Sequence, residues 1–329
     1  MNPTLPTESH WLEVRGRPLH LHALGAGPPL LLLHGGGADA SLVSWGAIAP
    51  LLSERFRLFL PDWPGYGRSE PWPDTLRSAD LPDILEELRT HLELERLDVI
   101  GVSMGGLAAL AYALAHPERL RRAAVFGCGG IQDRAPYHTL AWAIVHLPLL
   151  GPAMARAQWR AYARRPGLLR SSLKALLPTF TEVPDELVRL VQDELAGRSD
   201  HTVFFRWQRD EMRLRGLRTN LSDRLGDIAA PVLMLHGTHD IAVPVTHARA
   251  AAERLPHCHY VEFSGGGHWL PREAPELAAQ RLAAFFTAAD TAADTAAAVA
   301  PGREQVALDA GQDEGRDDPP PTPTASRRA

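Results

Sequence analysis

The chain has 329 residues, a formal net charge of −5, 45% hydrophobic and 22% charged residues, and a pI near 6.3. That composition suits one large α/β domain or two smaller ones with a buried core, and the charge argues against a general nucleic-acid or membrane-surface binder. Two cysteines, Cys128 and Cys258, make no disulfide framework. Residues 1–10 lack a basic segment followed by an apolar one, and no apolar run reaches the length of a membrane span. The default these readings leave is a cytoplasmic enzyme acting on a small molecule, its oligomeric state open.

Taken in order, Trp11–Arg15 and Leu19–Ala23 alternate as an opening hairpin around Gly16-Arg17. Pro29–His34 is an unbroken apolar run, as expected of a strand buried on both faces of a parallel sheet, and it ends in Gly35-Gly36-Gly37. A helix over Ser41–Leu52, a strand at Phe56–Leu60 and a turn-rich loop at Asp62–Ser69 follow. Leu81–Leu94 repeats Leu and Ile at three and four residues, an amphipathic helix. Next come a strand at 98–102, a helix at 104–116 built from strong helix formers, and a strand at Ala123–Phe126. Strands and helices alternating at this pitch predict a doubly wound, mostly parallel sheet.

The alternation stops after Gly130. From 131 to 221 the pattern is helical, over Leu140–Leu150, Ala153–Arg164, Leu168–Leu177, Glu186–Leu195 and Thr202–Leu214, with no convincing strand. It resumes with a strand at 231–236, a helix at Val245–Leu255, a strand at His259–Phe263 and a helix at 275–286. The expected organisation is therefore a core over 1–130 and 222–287, a helical cap over 131–221, and a low-complexity tail over 288–329. The tail has too little apolar composition to offset chain entropy, so disorder is expected from about 290 onward.

The chemistry centres on Gly101-Val102-Ser103-Met104-Gly105, which lies between strand and helix. A serine on that tight turn exposes its hydroxyl, and the flanking glycines let strand and helix approach closely. A serine hydroxyl needs a base, itself oriented by an acid. His268 follows a predicted strand and a glycine run, and Asp240 follows the strand before it, so both reach the rim that carries Ser103. Asp133 is the rival acid. His34, His236 and His239 also lie at strand ends and are read as structural. Two N–H groups should bind the oxyanion, from Met104 and from Gly36. No phosphate-cradling glycine loop, His-Glu-x-x-His or metal-ligand spacing is found, so no cofactor or metal is expected.

With these motifs assembled, the chain resembles the α/β-hydrolase superfamily over about residues 10–287. The resemblance rests on His34-Gly35, Asp62-x-Pro64-Gly65-x-Gly67-x-Ser69, Gly101-x-Ser103-x-Gly105, Gly237-x-x-Asp240 and Gly267-His268. It implies the α/β-hydrolase fold with a helical cap after the sixth strand, and Ser103, Asp240 and His268 as a triad. Ser103 at the elbow separates it from haloalkane dehalogenases and epoxide hydrolases, which attack with a carboxylate. His34-Gly35-Gly36-Gly37, Ser103-Met104-Gly105-Gly106 and Gly267-His268-Trp269 are also similar to the carbon–carbon bond hydrolases of meta-cleavage products. Those continue the glycine run with Pro-Gly, where Ala38-Asp39 stand here, and place Asn before the serine, where Val102 stands.

A carboxylesterase on small to medium apolar esters is therefore expected first and a carbon–carbon hydrolase second. Proline iminopeptidases and thioesterases share the core, and an idle hydrolase-fold binding protein is disfavoured by the complete Ser, Asp and His set. The arginines of 131–221 are expected on solvated faces, paired for example as Arg206 with Asp210, unless one of them, Arg189, turns inward to hold an acidic substrate.

Overall fold

The computed structural model of the protein describes residues 7–288 and 302–308. An antiparallel hairpin, β1 (Glu8–Val14) and β2 (Arg17–Leu24), leads into β3 (Pro29–Leu33). The helix expected over 41–52 is instead two short helices, α1 (Ser41–Trp45) and α2 (Ala49–Ser53). Pro50 has no N–H for the carbonyl one turn back, and its ring crowds that carbonyl, so the first helix cannot continue through it. β4 (Arg57–Pro61), α3 (Leu81–His91), β5 (Leu97–Val102), α4 (Met104–Ala115) and β6 (Leu120–Phe126) follow.

The helical segment comprises α5 (His138–His146), α6 (Leu150–Arg164), α7 (Pro166–Leu176), α8 (Asp185–Gly197) and α9 (Val203–Glu211). It ends in a small antiparallel pair, β7 (Met212–Arg213) and β8 (Gly216–Leu217), where a helix through Leu214 was expected. Leu214-Arg215 makes the turn between the two strands. The sheet resumes with β9 (Val232–Gly237), α10 (Val245–Arg254), β10 (Cys258–Ser264), α11 (Leu270–Glu273) and α12 (Pro275–Thr287).

Residues 302–307 correct the expectation of a wholly disordered tail. They form β11 (Gly302–Ala307), parallel to β10, with Val306 and Leu308 against the core and Glu304 paired to Arg281. The remainder of that predicted tail lies outside the described residues. Val306 and Leu308 are too few to register as a strand pattern in the sequence.

Among the described residues nine strands form one sheet in the order β1-β2-β4-β3-β5-β6-β9-β10-β11, antiparallel at β1/β2 and β2/β4 and parallel elsewhere. Apolar layers cover both faces, and every residue of β5 is buried, which is why the central strands read as continuous apolar runs. β3, β5, β6, β9 and β10 run parallel, so the loops at their C-terminal ends share one rim, where ligands of such sheets bind. The helices between β6 and β9 pack against that rim. Among the described residues no single helix is long and apolar enough to cross a membrane.

Candidate active site

Ser103 sits between β5 and α4 with φ +54° and ψ −112°, a left-handed conformation that costs a side-chain-bearing residue about 1–3 kcal/mol. The turn is held by the Ser103 N–H on Phe126 O at 2.9 Å, and by Ser103 O accepting from Leu107 and Gly129 at 3.0 Å each. Both flanking glycines are dictated by close approach. A Cβ on Gly101 would lie 2.2 Å from Gly105 O, and one on Gly105 would lie 2.1 Å from Leu33 O. Met104 is the first residue of α4, so its N–H has no carbonyl within the helix and lies at the positive end of the helix dipole.

Asp240 and His268 meet across neighbouring loops. The His268 Nδ1–H donates to Asp240 Oδ2 at 2.8 Å, leaving Nε2 as the ring nitrogen able to take a proton. Asp240 Oδ1 accepts from the N–H groups of Ala242 at 2.8 Å and Val243 at 2.9 Å, which fixes the carboxylate. Burial disfavours both charges, yet each group sustains the other. His268 is raised above the ordinary histidine value by the charge and hydrogen bond of Asp240, with Asp39 and Glu273 adding to it. Against its own burial, Asp240 is held below the usual carboxylate range by His268, His236 and the Val243 N–H.

The rival acid is elsewhere. Asp133 is exposed and accepts from Asn220 Nδ2 at 2.5 Å. The other strand-end histidines are also accounted for. His34 Nε2 accepts from the Trp63 N–H at 3.0 Å while Nδ1 donates to Gly35 O at 2.7 Å, and burial keeps the ring neutral. His236 is likewise pushed down by burial and donates from Nε2 to Val243 O at 2.8 Å. His239 is exposed.

Several supporting groups are absent from the sequence reading. Gly127, at φ +47°, backs the pair: a Cβ there would lie 2.9 Å from His268 Nδ1 and 3.0 Å from Asp240 Oδ2. Asp39, noted only as a departure from a family pattern, is buried and braces the glycine loop. It accepts from the Gly35 N–H at 2.7 Å, the Ser44 hydroxyl at 2.6 Å and the Ala40 N–H at 2.8 Å. Arg198, just after α8, reaches down to the same loop and donates to Gly37 O and Asp39 O at 2.6 Å each. Its guanidinium stacks 4.5 Å from the Tyr66 ring centroid and pairs with Glu194 at 2.9 Å. Glu273 does the equivalent for the histidine loop, accepting from the Gly267 N–H at 2.6 Å and from the Thr179 hydroxyl at 2.7 Å. An acid just past a glycine run was the available signal for Asp39. Arg198 and Glu273 carried none.

Ser103, Met104, Gly36 and His268 line one cavity of about 270 Å³. Its walls come from the helical segment: Gln158, Trp159 and Tyr162 on α6, Leu169, Ser172, Leu173 and Leu176 on α7, and Phe204 and Trp207 on α9. Phe204 lies so close over Gly36 that a Cβ there would come within 2.4 Å of its ring. No lysine or arginine is among the lining residues. Arg189 is exposed on α8 and does not reach the cavity, and Arg206 pairs with Asp200 at 3.0 Å rather than with Asp210. Two larger surface clefts lie away from Ser103, around Arg15 and Trp72 and around Pro28 and Phe286.

Among the described residues one group could approach a metal: ligand atoms of His20, His22 and Asp62 lie within 4.8 Å of one another. The pairing of β2 with β4 creates this cluster, so spacing along the chain does not reveal it. Protein partners already engage it, with His20 bonded to Asp62 at 2.8 Å and to Ser9 at 2.8 Å, and His22 to Thr7 at 3.0 Å. Burial pushes His22 down to about 4. None of the three lines the cavity. Cys128 and Cys258 are free and buried, and burial raises both thiols, Cys258 to about 12.

A family model describing the alpha/beta hydrolase fold matches residues 28–275, and the chain belongs to that family. It is 28% identical over 269 residues to a 2-hydroxy-6-oxononadienedioate/2-hydroxy-6-oxononatrienedioate hydrolase of Cupriavidus pinatubonensis, covering 76% of this chain and 84% of the relative. It is also 28% identical over 277 residues to the 2-hydroxy-6-oxo-6-phenylhexa-2,4-dienoate hydrolase of Burkholderia cepacia, covering 82% and 91%. Among solved structures, a meta-cleavage product hydrolase of Pseudomonas fluorescens superposes with a TM-score of 0.70 at 22% identity, covering 84% of this chain and 97% of that one. A carboxylesterase of Bacillus subtilis superposes with a TM-score of 0.67 at 22% identity, covering 87% and 93%.

Proposed function

We propose that the protein is a serine esterase for small, uncharged esters, with Ser103 as nucleophile, His268 as general base and acid, and Asp240 as the group that orients His268. In this reading His268 Nε2 takes the Ser103 proton as Oγ attacks the ester carbonyl carbon. The oxyanion that forms accepts hydrogen bonds from the Met104 and Gly36 N–H groups. The Gly35 N–H is spent on Asp39, which supports Gly36 as the second donor. One such donor contributes roughly 2.7–4 kcal/mol in comparable hydrolases. Collapse breaks the ester C–O bond, and His268 returns its proton to the departing alcohol. Water, deprotonated by the same histidine, then releases the acid and restores Ser103. Asp240 stays ionised throughout, stabilising the imidazolium.

The observation that carries the ester reading is the cavity lining. Ser103 and His268 open into a space walled by apolar and aromatic side chains, with Gln158 and Ser172 as polar exceptions and no cation. A substrate carboxylate would lose its hydration there without an ionic partner. Carbon–carbon cleavage of a meta-cleavage product is the second reading. It draws on relatives whose names specify dienoate and dienedioate substrates. Those substrates bear the carboxylate that the cavity lining does not match.

The test is a series of p-nitrophenyl esters of rising acyl length beside 2-hydroxy-6-oxo-6-phenylhexa-2,4-dienoate. We expect kcat/KM to rise by up to about fourfold per methylene until the cavity is full. A flat ester profile with clear preference for the dienoate would replace this reading with the second.

A further inference from the structure

Between Asp133 and Glu182 the chain contains no acidic residue and seven cations, Arg134, Arg156, Arg160, Arg164, Arg165, Arg170 and Lys174, in a protein of formal net charge −5. The overall charge, which speaks against a membrane surface, conceals this local segregation. The same segment exposes apolar side chains that a folded core would cover. Tyr137 is 87% exposed, Leu140 64%, Leu149 89% and Leu150 54%, with Leu147 and Met154 also exposed. α5 and α6 meet here at a bend of 104°. Leu149 stands at that corner with φ +60°, so a strained backbone holds an apolar side chain out in water.

Along α6, at about 100° per residue, Leu150, Met154 and Ala157 fall on one outward strip. Arg156, Arg160 and Arg164 fall on the strip beside it, all exposed. Trp159 and Tyr162, on the opposite face, line the cavity. Among the described residues no ion pair joins Arg156, Arg160, Arg164 or Arg165 to a carboxylate; Asp200, whose carboxylate is held ionised in part by the charge of Arg156, is paired to Arg206. An apolar edge flanked by unneutralised arginines fits the interface of an anionic bilayer, where side chains enter to headgroup depth and guanidinium groups meet phosphates. A second copy fits poorly, because a two-fold contact through this face would set the same arginines against themselves.

We infer that the α5–α6 corner is a docking surface for an anionic lipid bilayer, on which the protein lies without spanning it. This holds whichever bond the enzyme cleaves. Docking would place the outer wall of the cavity at the lipid surface, so an apolar substrate could pass from membrane to Ser103.

The test is flotation of the full chain with vesicles of phosphatidylcholine alone, and with about one quarter phosphatidylglycerol added. The protein should float with the anionic vesicles only and be released as salt is raised. L149D/L150D should abolish flotation, and R156E/R160E should weaken it by at least about tenfold. Both variants alter exposed side chains, so circular dichroism and turnover of a water-soluble short ester should match the parent protein. The inference is overturned by absent flotation, by equal binding to neutral vesicles, or by folded variants that bind as the parent does. A dimer that L149D/L150D dissolves, without vesicle binding, would equally overturn it.

Discussion

On the rim of the sheet, Ser103, Asp240 and His268 are set by backbone. The elbow closes so tightly that a Cβ on Gly101 or Gly105 would lie 2.2 or 2.1 Å from a backbone oxygen, and Asp240 is pinned by two N–H groups. In the helices facing that rim, the cavity wall is built from side chains of α6, α7 and α9, and the outer surface carries exposed leucines and unpaired arginines. The first region has no room for a side chain at Gly101, Gly105 or Gly127. The second meets the first at Phe204 over Gly36, at Arg198 on Gly37 and Asp39, and at Leu176 O, which accepts from the His268 N–H. In the proposed reading the two regions divide the work, the rim supplying bond-breaking chemistry and the helices selecting what reaches it.

The sharpest way to break this division is Ser103→Ala, for which we expect kcat to fall by about 10⁴-fold or more at nearly unchanged Tm. A Trp159→Ala change should instead shift preference among acyl chain lengths and leave a comparable kcat on the best substrate. If Ser103→Ala retained most of the activity, the rim would not hold the chemistry.

Next in size is Asp240→Asn, expected to lower kcat by about 10³–10⁴-fold, whereas Asp133→Asn should leave it unchanged. In the proposed mechanism turnover needs neutral His268, and Asp240 raises that histidine above its ordinary 6.5. Activity of the parent enzyme should therefore fall as pH drops through a midpoint above 6.5, and in Asp240→Asn the residual activity should extend to lower pH. For stability the signs oppose. The raised His268 contributes stability that is present below its unfolded pKa and lost as pH rises through its folded one. The lowered Asp240 contributes stability above its unfolded pKa, lost as pH falls through the folded one. A pH–rate profile of both proteins checks the shift.

Arg198 joins the two regions, so it sharpens the comparison. Arg198→Met should reduce kcat by about 100-fold through a displaced Gly36–Asp39 loop, and should also lower Tm by leaving Glu194 without its partner. Arg198→Met/Glu194→Gln should recover much of the Tm but not the kcat. Recovery of both would reduce Arg198 to a structural ion pair.

The smallest effect lies at the edge of the sheet beyond β10. Ending the chain after Ala288 removes β11, and Tm should fall by a few degrees, at about 2–4 °C per kcal/mol for a domain of this size. Ester kinetics should not change.

What was legible in the sequence follows the same division. The buried strands announced themselves as apolar runs, and Ser103, Asp240 and His268 could be nominated because glycines and strand ends mark their loops. Asp39 was visible and misjudged, since its bonds to Gly35 and Ser44 depend on how α1 returns over the loop. Arg198 was one arginine among many, distinguishable only once α8 is seen to end above Gly37 and Asp39. The lining of the cavity was illegible for a related reason, because helical periodicity separates buried from exposed faces but does not tell a face that packs from one that borders a space. β11 was missed because an edge strand needs only one covered face and shows no apolar run.

The most direct test of the central claim is fluorophosphonate labelling of the folded enzyme followed by peptide mapping. Activated by His268 and the elbow, Ser103 should carry one adduct per chain, formed in step with loss of ester hydrolysis and absent after heat denaturation. Full labelling at another residue, or an enzyme that hydrolyses esters while Ser103 stays unlabelled, would contradict the account.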